Sequence, residues 1–314
     1  MTLLIFDPFT IGEPSRTRHK RKRPYDALKR TANGISDAGS LFETLEPATI
    51  CSLILDSFNR VAIEPYHMTD YPVRATRTSA RVIEALLEVR EAGVTQLAER
   101  LDLSKSAVHN HLVTLERVGF AVSDGGRYRL GLRFLDVGMN ARDGSELCGT
   151  AMAEVDALAD QTGEMAALVV PEFGHAVYAV TASSGRELPV RLGSRVPLHA
   201  TAPGKAVLAS ASSLFIEEYV ETHGLAALTR RTTTSATDLR EELRTISDRG
   251  LAFDRDEAFE GLRSVAAPIQ DQKETVGALA VIGPSERFSG KRLKEDLPGL
   301  VLTHANDIEL ALAN

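Results

Sequence analysis

The chemistry that this sequence supports most directly lies in a short run of polar side chains on one face of a predicted helix. Within LDLSKSAVHNHLVTLERVGF, residues 101–120, apolar residues recur at helical spacing. The opposite face carries Lys105, Ser106, His109 and Asn110. Asparagine suits the edge of adenine, and lysine that of guanine, when a helix lies in the major groove of DNA. These side chains therefore predict base contacts with double-stranded DNA.

A second polar group is the carboxylate-rich stretch FDRDEAFE, which supplies Asp254, Asp256, Glu257 and Glu260. Clustered carboxylates bind metal ions or perform acid–base catalysis. This stretch, however, lacks the full spacing and the central glycine of a calcium-binding loop. The motif places no histidine or nucleophile beside these acids, and the eight histidines of the chain show no zinc-binding spacing. We therefore expect no catalytic residue, no metal ion and no cofactor, and we expect that the protein is not an enzyme.

The dipeptide Gly204-Lys205 is a third candidate, because a Gly-Lys pair lies near the end of the phosphate-binding P-loop. That loop requires glycine five residues before Gly204 and serine or threonine after the lysine. His199 and Ala206 occupy those positions, so the motif is absent. We expect Gly204 to allow close backbone packing at the start of a helix, and we expect Lys205 to be solvated.

Helical elements must position the DNA-contacting side chains. Periodicity predicts one helix that runs from residue 78 to Gly93 and a second over residues 94–101. A short turn follows, and Ser104 is the expected N-cap of the third helix. In helix-turn-helix proteins the third helix of such a unit enters the major groove with its N-terminal residues nearest the bases.

Two short strands with a Gly-rich turn at residues 123–126 complete a winged helix-turn-helix pattern. Strand alternation places Arg127 and Arg129 on one face. These arginines, together with Ser106 and Thr114, are expected to contact phosphates. A small helical bundle with a solvated polar face is the alternative interpretation of the same pattern.

The rest of the chain alternates short apolar strands with helices, which predicts an α+β fold whose mixed or antiparallel sheet is flanked by helices. Residues 1–73 show weak periodicity, and we expect a disordered or mis-annotated extension there. The basic run at residues 16–30 has an alternative interpretation, which is an arm that binds nucleic acid. The expected domains are a DNA-binding domain at 74–135, a linker helix at 136–150 and a second domain at 151–314.

The chain resembles the IclR family of transcription regulators in its motifs and in their order. The resemblance lies in LAERLDLSKSAVHNHLVTLERVGF with the strand RYRLG, and in PLHATAPGKAVLA, RGLAFDRDEAFEGLRSVAAPI and AVIGP. It implies a GAF-like effector-binding domain joined by a helix to the winged helix. It also implies homodimers, often paired into tetramers, and a small organic acid or aromatic metabolite as effector.

The resemblance further implies which residues surround the effector. Two motifs contribute Leu198, Thr201 and Ala202, followed by Asp254, Leu262 and Ser264. The strand before Gly-Pro often carries serines toward the ligand in this family, but Ala280 and Ile282 occupy those positions here. This departure indicates a more apolar effector, or none.

Composition limits the remaining possibilities. The chain has a formal net charge of −7, two cysteines and no apolar run of the ~18 residues that a membrane span needs. We expect a cytoplasmic protein with no membrane partner. From Met68 onward 35 acidic residues face 27 basic ones, of which five are lysines. This balance is expected of a salt-adapted, haloarchaeal protein, although a GC-rich genome also favours arginine over lysine.

Two classes of function are compatible with these observations. The first is a ligand-responsive, DNA-binding transcription regulator whose effector modulates operator binding. The second is a small-molecule-binding or enzymatic GAF-like protein whose helical N-terminal domain does not bind DNA. The donors of the third helix and the basic wing favour the first.

Overall fold

The computed structural model describes residues 71–183, 185, 188–272 and 274–313. The basic run at 16–30 and nearly all of the extension expected at 1–73 lie outside the described residues.

Three helices, α1 (Arg74–Val89), α2 (Val94–Leu101) and α3 (Lys105–Arg117), form the first structural unit. Their apolar faces enclose a small core that includes the fully buried Leu86, Leu97 and Leu112. The Ser104 hydroxyl accepts a hydrogen bond from the Ala107 amide at 3.2 Å, so the predicted cap of α3 is confirmed.

Strands β1 (Glu91–Gly93), β2 (Ala121–Asp124) and β3 (Arg127–Leu130) form an antiparallel sheet in the order β1-β3-β2. The expected hairpin is confirmed, and both glycines of its turn, Gly125 and Gly126, adopt positive φ. The expected end of α1 at Gly93 was wrong, since α1 ends at Val89 and residues 91–93 pair with β3. Three residues are too few for alternation to reveal a strand.

Helices α4 (Arg133–Asp143) and α5 (Glu146–Thr162) follow the wing. A linker helix was expected at 136–150, and this was wrong because α4 ends at Asp143 and Gly144 interrupts the helix. Ser145 then begins a new helix by capping the Cys148 amide. Thus the chain has two consecutive helices between the wing and the second sheet.

The second sheet has six strands in the antiparallel order β6-β5-β4-β9-β8-β7. Its strands are β4 (Met165–Glu172), β5 (His175–Ala182), β6 (Arg195–Pro197), β7 (Ala252–Arg255), β8 (Leu262–Asp271) and β9 (Glu274–Pro284). Both faces are apolar, because each face packs against helices and so the strands carry buried side chains in both directions. The α+β class and the antiparallel sheet expected from the sequence are confirmed.

Helices cover the two faces separately. One core receives a 3-10 turn (Leu198–Ala200), α6 (Ala202–Ala209), α7 (Ser213–His223) and α8 (Ala236–Arg249). It contains residues expected around an effector, and we call it the effector-side core. Helix α5 and the C-terminal α9 (Leu297–Leu312) contribute to the other core, and a π-helical turn (Arg292–Asp296) precedes α9.

Helix α8 begins after Ser235, whose hydroxyl accepts a hydrogen bond from the Asp238 amide and is the N-cap. Among the described residues, the helices are too short or too polar to cross a membrane.

Gly204 is a position at which the fold admits no side chain. A Cβ atom there would overlap the backbone of Leu198, including its carbonyl oxygen. Gly204→Ala should therefore lower the free energy of unfolding by about 1–3 kcal/mol, as overpacking does in other cores. Gly138→Ala in α4 is the matched control, because a Cβ at Gly138 meets no neighbouring atom within 4 Å. Urea denaturation of both variants checks this, and equal stabilities would contradict the close packing.

Candidate DNA-binding surface and effector site

The donors predicted on α3 share one solvent-exposed face at the N-terminal half of the helix. Lys105, Ser106, His109 and Asn110 are all exposed, whereas Val108 is fully buried. The positive end of the helix dipole lies at the same place, and the first turn contains no acidic residue. This surface can therefore receive a polyanion and present donors to base edges.

The wing arginines differ in their contacts. Both Arg127 and Arg129 are exposed, and Tyr128 between them is buried, as alternation predicted. The Arg127 Nε donates to a carboxylate oxygen of Glu91 at 2.6 Å, and its Nη2 donates to the Glu91 carbonyl at 3.0 Å. Among the described residues, the side chain of Arg129 makes one hydrogen bond, in which its Nη1 donates to the adjacent Leu130 carbonyl at 3.4 Å. Arg129 is thus more available for a phosphate than Arg127.

The two predicted hydroxyl contacts of α3 are also distinguished by geometry. The Thr114 hydroxyl donates to the Asn110 carbonyl at 2.7 Å, so its proton is already used within the helix. The Ser106 hydroxyl lies 3.2 Å from that of Ser104 at the helix start. A phosphate oxygen needs a donor, which Ser106 can supply more readily than Thr114.

The charge of the chain is divided between its two halves. Residues 74–135 contain ten Arg and Lys against seven Asp and Glu, a net charge of +3. Residues 136–314 contain 17 basic and 27 acidic residues, a net charge of −10. The acidic excess of the whole chain therefore lies outside the winged helix, which is compatible with DNA binding.

Three of the residues expected around an effector lie in one line across the second sheet. Asp254 pairs with Ser264 between β7 and β8, and Ser264 pairs with Ile282 between β8 and β9. Directly paired residues project to the same face with Cβ atoms about 4.5–5.5 Å apart. Ile282, Ala280 and Leu262 all belong to the effector-side core.

The motif after β6 places its residues over the same face. Leu198 and Ala202 belong to the effector-side core, and Ala202 begins α6. Thr201 has a structural contact, since its hydroxyl caps α6 by accepting the Gly204 amide at 3.0 Å. All eight predicted residues are at most 8% exposed, so this face is closed to solvent.

Lys205 corrects a sequence prediction. It was expected to be solvated, but its side chain is completely buried. Its ammonium group donates to Glu257 at 2.8 Å and to Glu242 of α8 at 2.6 Å. The sequence prediction was wrong because the partners are 37 and 52 residues away, beyond any local pattern.

The carboxylates of FDRDEAFE face different partners rather than one common point. Asp256, at positive φ, accepts the Gly261 amide at 2.9 Å and lies near Arg263. Glu257 pairs with Lys205, and its backbone amide donates to Asp254 at 2.7 Å. These contacts hold the loop after β7 in its conformation.

Two ionisable groups on the effector-side face have altered acidity. Burial raises the pKa of Asp254 to about 7, and the nearby negative charge of Glu257 raises it further, while hydrogen bonds to Asp254 and the charge of Lys205 oppose the rise. Burial also raises the pKa of Tyr178, with a contribution from the Asp254 carboxylate. The sequence analysis did not predict Tyr178 as a site residue. In the sequence Tyr178 looks like any other buried residue of a strand, and its position near Asp254 follows only from the order of the strands in the sheet.

Comparisons with known proteins agree with this architecture. The family described as bacterial transcriptional regulator IclR C-terminal matches residues 140–310, and the IclR helix-turn-helix domain matches residues 79–125. The probable HTH-type transcriptional regulator ArcR of Halobacterium salinarum is 30% identical, over 76% of this chain and 94% of its own length. The glycerol operon regulatory protein of Streptomyces griseus is 36% identical over 63% of this chain and 80% of its own length.

Solved structures give the same result. An IclR transcriptional regulator from Alicyclobacillus acidocaldarius superposes with a TM-score of 0.68 at 25% identity, covering 77% of this chain and all of that one. An IclR homolog of Microbacterium hydrocarbonoxydans, crystallised with 4-hydroxybenzoate, shares the fold with a TM-score of 0.64 at 22% identity, over 76% of this chain and 98% of its own.

A winged helix with exposed donors on its third helix, followed by an α+β domain with a buried sheet face, is the architecture of a ligand-responsive transcription regulator. The chain belongs to the IclR family, with a helix-turn-helix DNA-binding domain and a C-terminal effector-binding domain. The relatives it resembles are described as transcriptional regulators and repressors.

The raised pKa of Asp254 predicts how stability depends on pH. An unfolded Asp has a pKa of about 3.9, so between about pH 4 and pH 7 the folded chain holds a proton that the unfolded chain has lost. The free energy of unfolding should therefore fall as pH rises through this window.

Asp254→Asn should remove this pH dependence of the free energy of unfolding. Asp248→Asn, at an exposed position of α8, should leave the pH dependence in place. Urea denaturation across this pH range measures the difference between variants and the unmodified chain. An unchanged pH slope in Asp254→Asn would show that the carboxyl group titrates normally.

Proposed function

We propose that α3 lies in the major groove of an operator and contacts base edges through Lys105, Ser106, His109 and Asn110. The exposure of all four side chains at the N-terminal half of α3 is the observation that supports this most strongly. The net charge of +3 on residues 74–135 adds long-range attraction to DNA.

Phosphate contacts come chiefly from Arg129, with Arg127 and Thr114 in lesser roles. The Glu91 carboxylate must release Arg127 before that side chain can pair fully with a phosphate. Thr114 must first break its bond to the Asn110 carbonyl. These contacts position the protein on DNA but carry no sequence information.

Variants of the winged helix test these roles on an operator selected from random-sequence DNA. Asn110→Ala should weaken operator binding by about 1–3 kcal/mol and relax sequence preference. Arg129→Ala should weaken all sequences evenly and reduce the salt slope by about 1, as loss of one phosphate contact does. Arg127→Ala, the matched control, should change the slope less because Glu91 already engages its guanidinium group.

Binding titrations at several salt concentrations provide both quantities. If Asn110→Ala bound operator and random DNA as the unmodified chain does, α3 would not be the base-reading helix. If Arg127→Ala had the larger effect on the salt slope, the order proposed for the wing arginines would be wrong.

The functional unit is a homodimer or a dimer of dimers, with α4 at the dimer contact. Helix α4 has no buried residue, and Leu132, Leu135 and Met139 are 80%, 57% and 40% exposed. Spacings of three and four residues place these side chains on one stripe, as in a helix that pairs with another. The DNA-binding domain is residues 74–135 and α4 is the linker. The boundary expected between residues 150 and 151 lies inside α5, so the effector-binding domain begins with α5. The protein works where the operator lies, in the cytoplasm.

The effector binds on the closed face formed by Asp254, Ser264 and Ile282. Tyr178 and Ser264 supply hydroxyl groups, and Asp254 supplies a carboxyl group whose pKa of about 7 allows it to donate a proton near neutrality. The apolar Ala280 and Ile282 favour an aromatic or otherwise apolar compound over a small polar acid. The relative crystallised with 4-hydroxybenzoate supports a small aromatic compound as the ligand.

The DNA-binding domains of the dimer adopt two arrangements, and the effector binds the protein more tightly in one of them. Effector binding therefore shifts the protein toward that arrangement and changes its affinity for the operator. Such coupling free energies are commonly about 1–3 kcal/mol. The two helices between the wing and the sheet, α4 and α5, connect the sites along the chain.

Thermal shift with 4-hydroxybenzoate and benzoate as probes tests the binding face. Ser264→Ala should reduce the shift for 4-hydroxybenzoate while leaving operator binding unchanged, since Ser264 lies in the second sheet. Ala280→Ser should increase the shift with both carboxylates, because it restores a hydroxyl group that the strand lacks. If neither substitution altered any shift that the unmodified chain shows, the ligand would bind elsewhere. If neither probe shifted the unmodified chain, an aromatic carboxylate would not be the effector.

A further inference from the structure

Helices α5 and α9 bring three metal-ligating side chains together on the face of the sheet opposite the effector. Glu154 lies on α5, and His304 and Asp307 lie three residues apart on α9, which places them on one side of that helix. The surrounding core contains Val155 and Val301, both fully buried. The three side chains therefore lie apart from the effector-side core.

The geometry of this cluster is close to that of a coordination site. One ligand atom of each residue lies within 4.8 Å of those of the other two. The His304 Nδ1 is 2.6 Å from a carboxylate oxygen of Glu154. Ligands at about 2.0–2.2 Å from a tetrahedral zinc ion are themselves about 3.3–3.6 Å apart. The upper limit of 4.8 Å on the separations within this cluster is compatible with that spacing.

The charge of the two helices gives independent support. Neither α5 nor α9 contains a lysine or an arginine, while together they carry six carboxylates. His304 is 6% exposed, and helices α5 and α9 contain no basic residue other than His304 that could balance Glu154 and Asp307. A divalent cation would neutralise the two carboxylates and keep the imidazole nitrogen as a ligand.

We propose that Glu154, His304 and Asp307 bind a divalent first-row transition ion, with zinc as the representative. An imidazole nitrogen and two carboxylate oxygens form a donor set suited to such ions, whereas calcium and magnesium select oxygen ligands alone. Water completes the coordination on the exposed side, where Asp307 lies. The ion links helix α5 to the C-terminal helix α9.

Zinc titration of the chelator-treated full chain, with a competing chromophoric indicator, tests the site. The unmodified chain should take up one tightly bound ion and melt at a higher temperature when it is present. Asp307→Asn should weaken binding at least about 10-fold, a loss typical even of residues that only support metal ligands. Because Asp307 is exposed, this variant should fold even if His304→Gln does not. Asp156→Asn, at an exposed position of α5, is the matched control and should bind normally.

Cobalt substitution locates the ion independently of affinity. Cobalt bound through His304 should give visible ligand-field absorption that Asp307→Asn weakens or shifts and that Asp156→Asn leaves unchanged. Absence of uptake by the unmodified chain would overturn the proposal. Equal affinity and an equal cobalt spectrum in Asp307→Asn would also overturn it, because the ion would then lie at other histidines.

Discussion

Complete burial of the Lys205 ammonium group imposes a constraint on the whole effector-binding domain. An unpaired charge in such a place would cost several kcal/mol, so the fold must bring carboxylates to it. Glu242 comes from α8 and Glu257 from the loop after β7, and both must meet α6 over the sheet. The same loop orients Asp254 through the Glu257 amide. The ion pairs thus link the helices above the sheet to the residues expected to meet a ligand.

Features that depend on neighbouring residues could be predicted from the sequence. The Ser104 cap, the Gly125-Gly126 turn and the alternation of the wing each involve a few consecutive positions. Features that depend on distant residues could not. The bond from Arg127 to Glu91 spans 36 residues and needs β1, whose three residues carry no periodic signal. The location of Ser264 beside Asp254 and Ile282 became visible only with the strand order, although the family motifs had grouped the same residues.

The division of charge explains how an acidic chain can bind a polyanion. DNA attracts the winged helix and repels the larger acidic domain, and both interactions are largely screened beyond about a Debye length, near 8 Å at 0.15 M salt. Raising the salt weakens both effects. The net outcome orients the protein, since an approach with the acidic domain toward DNA is unfavourable.

The burial of the proposed ligand-binding face has a consequence for the speed of the response. Side chains that are at most 8% exposed admit a molecule only after the domain opens, so the association rate is set by the frequency of opening rather than by diffusion alone. The apparent affinity is reduced by the fraction of time spent open. Once the face closes again, the bound compound is shielded from exchange. A regulator built in this way averages over brief changes in metabolite concentration and responds to sustained ones.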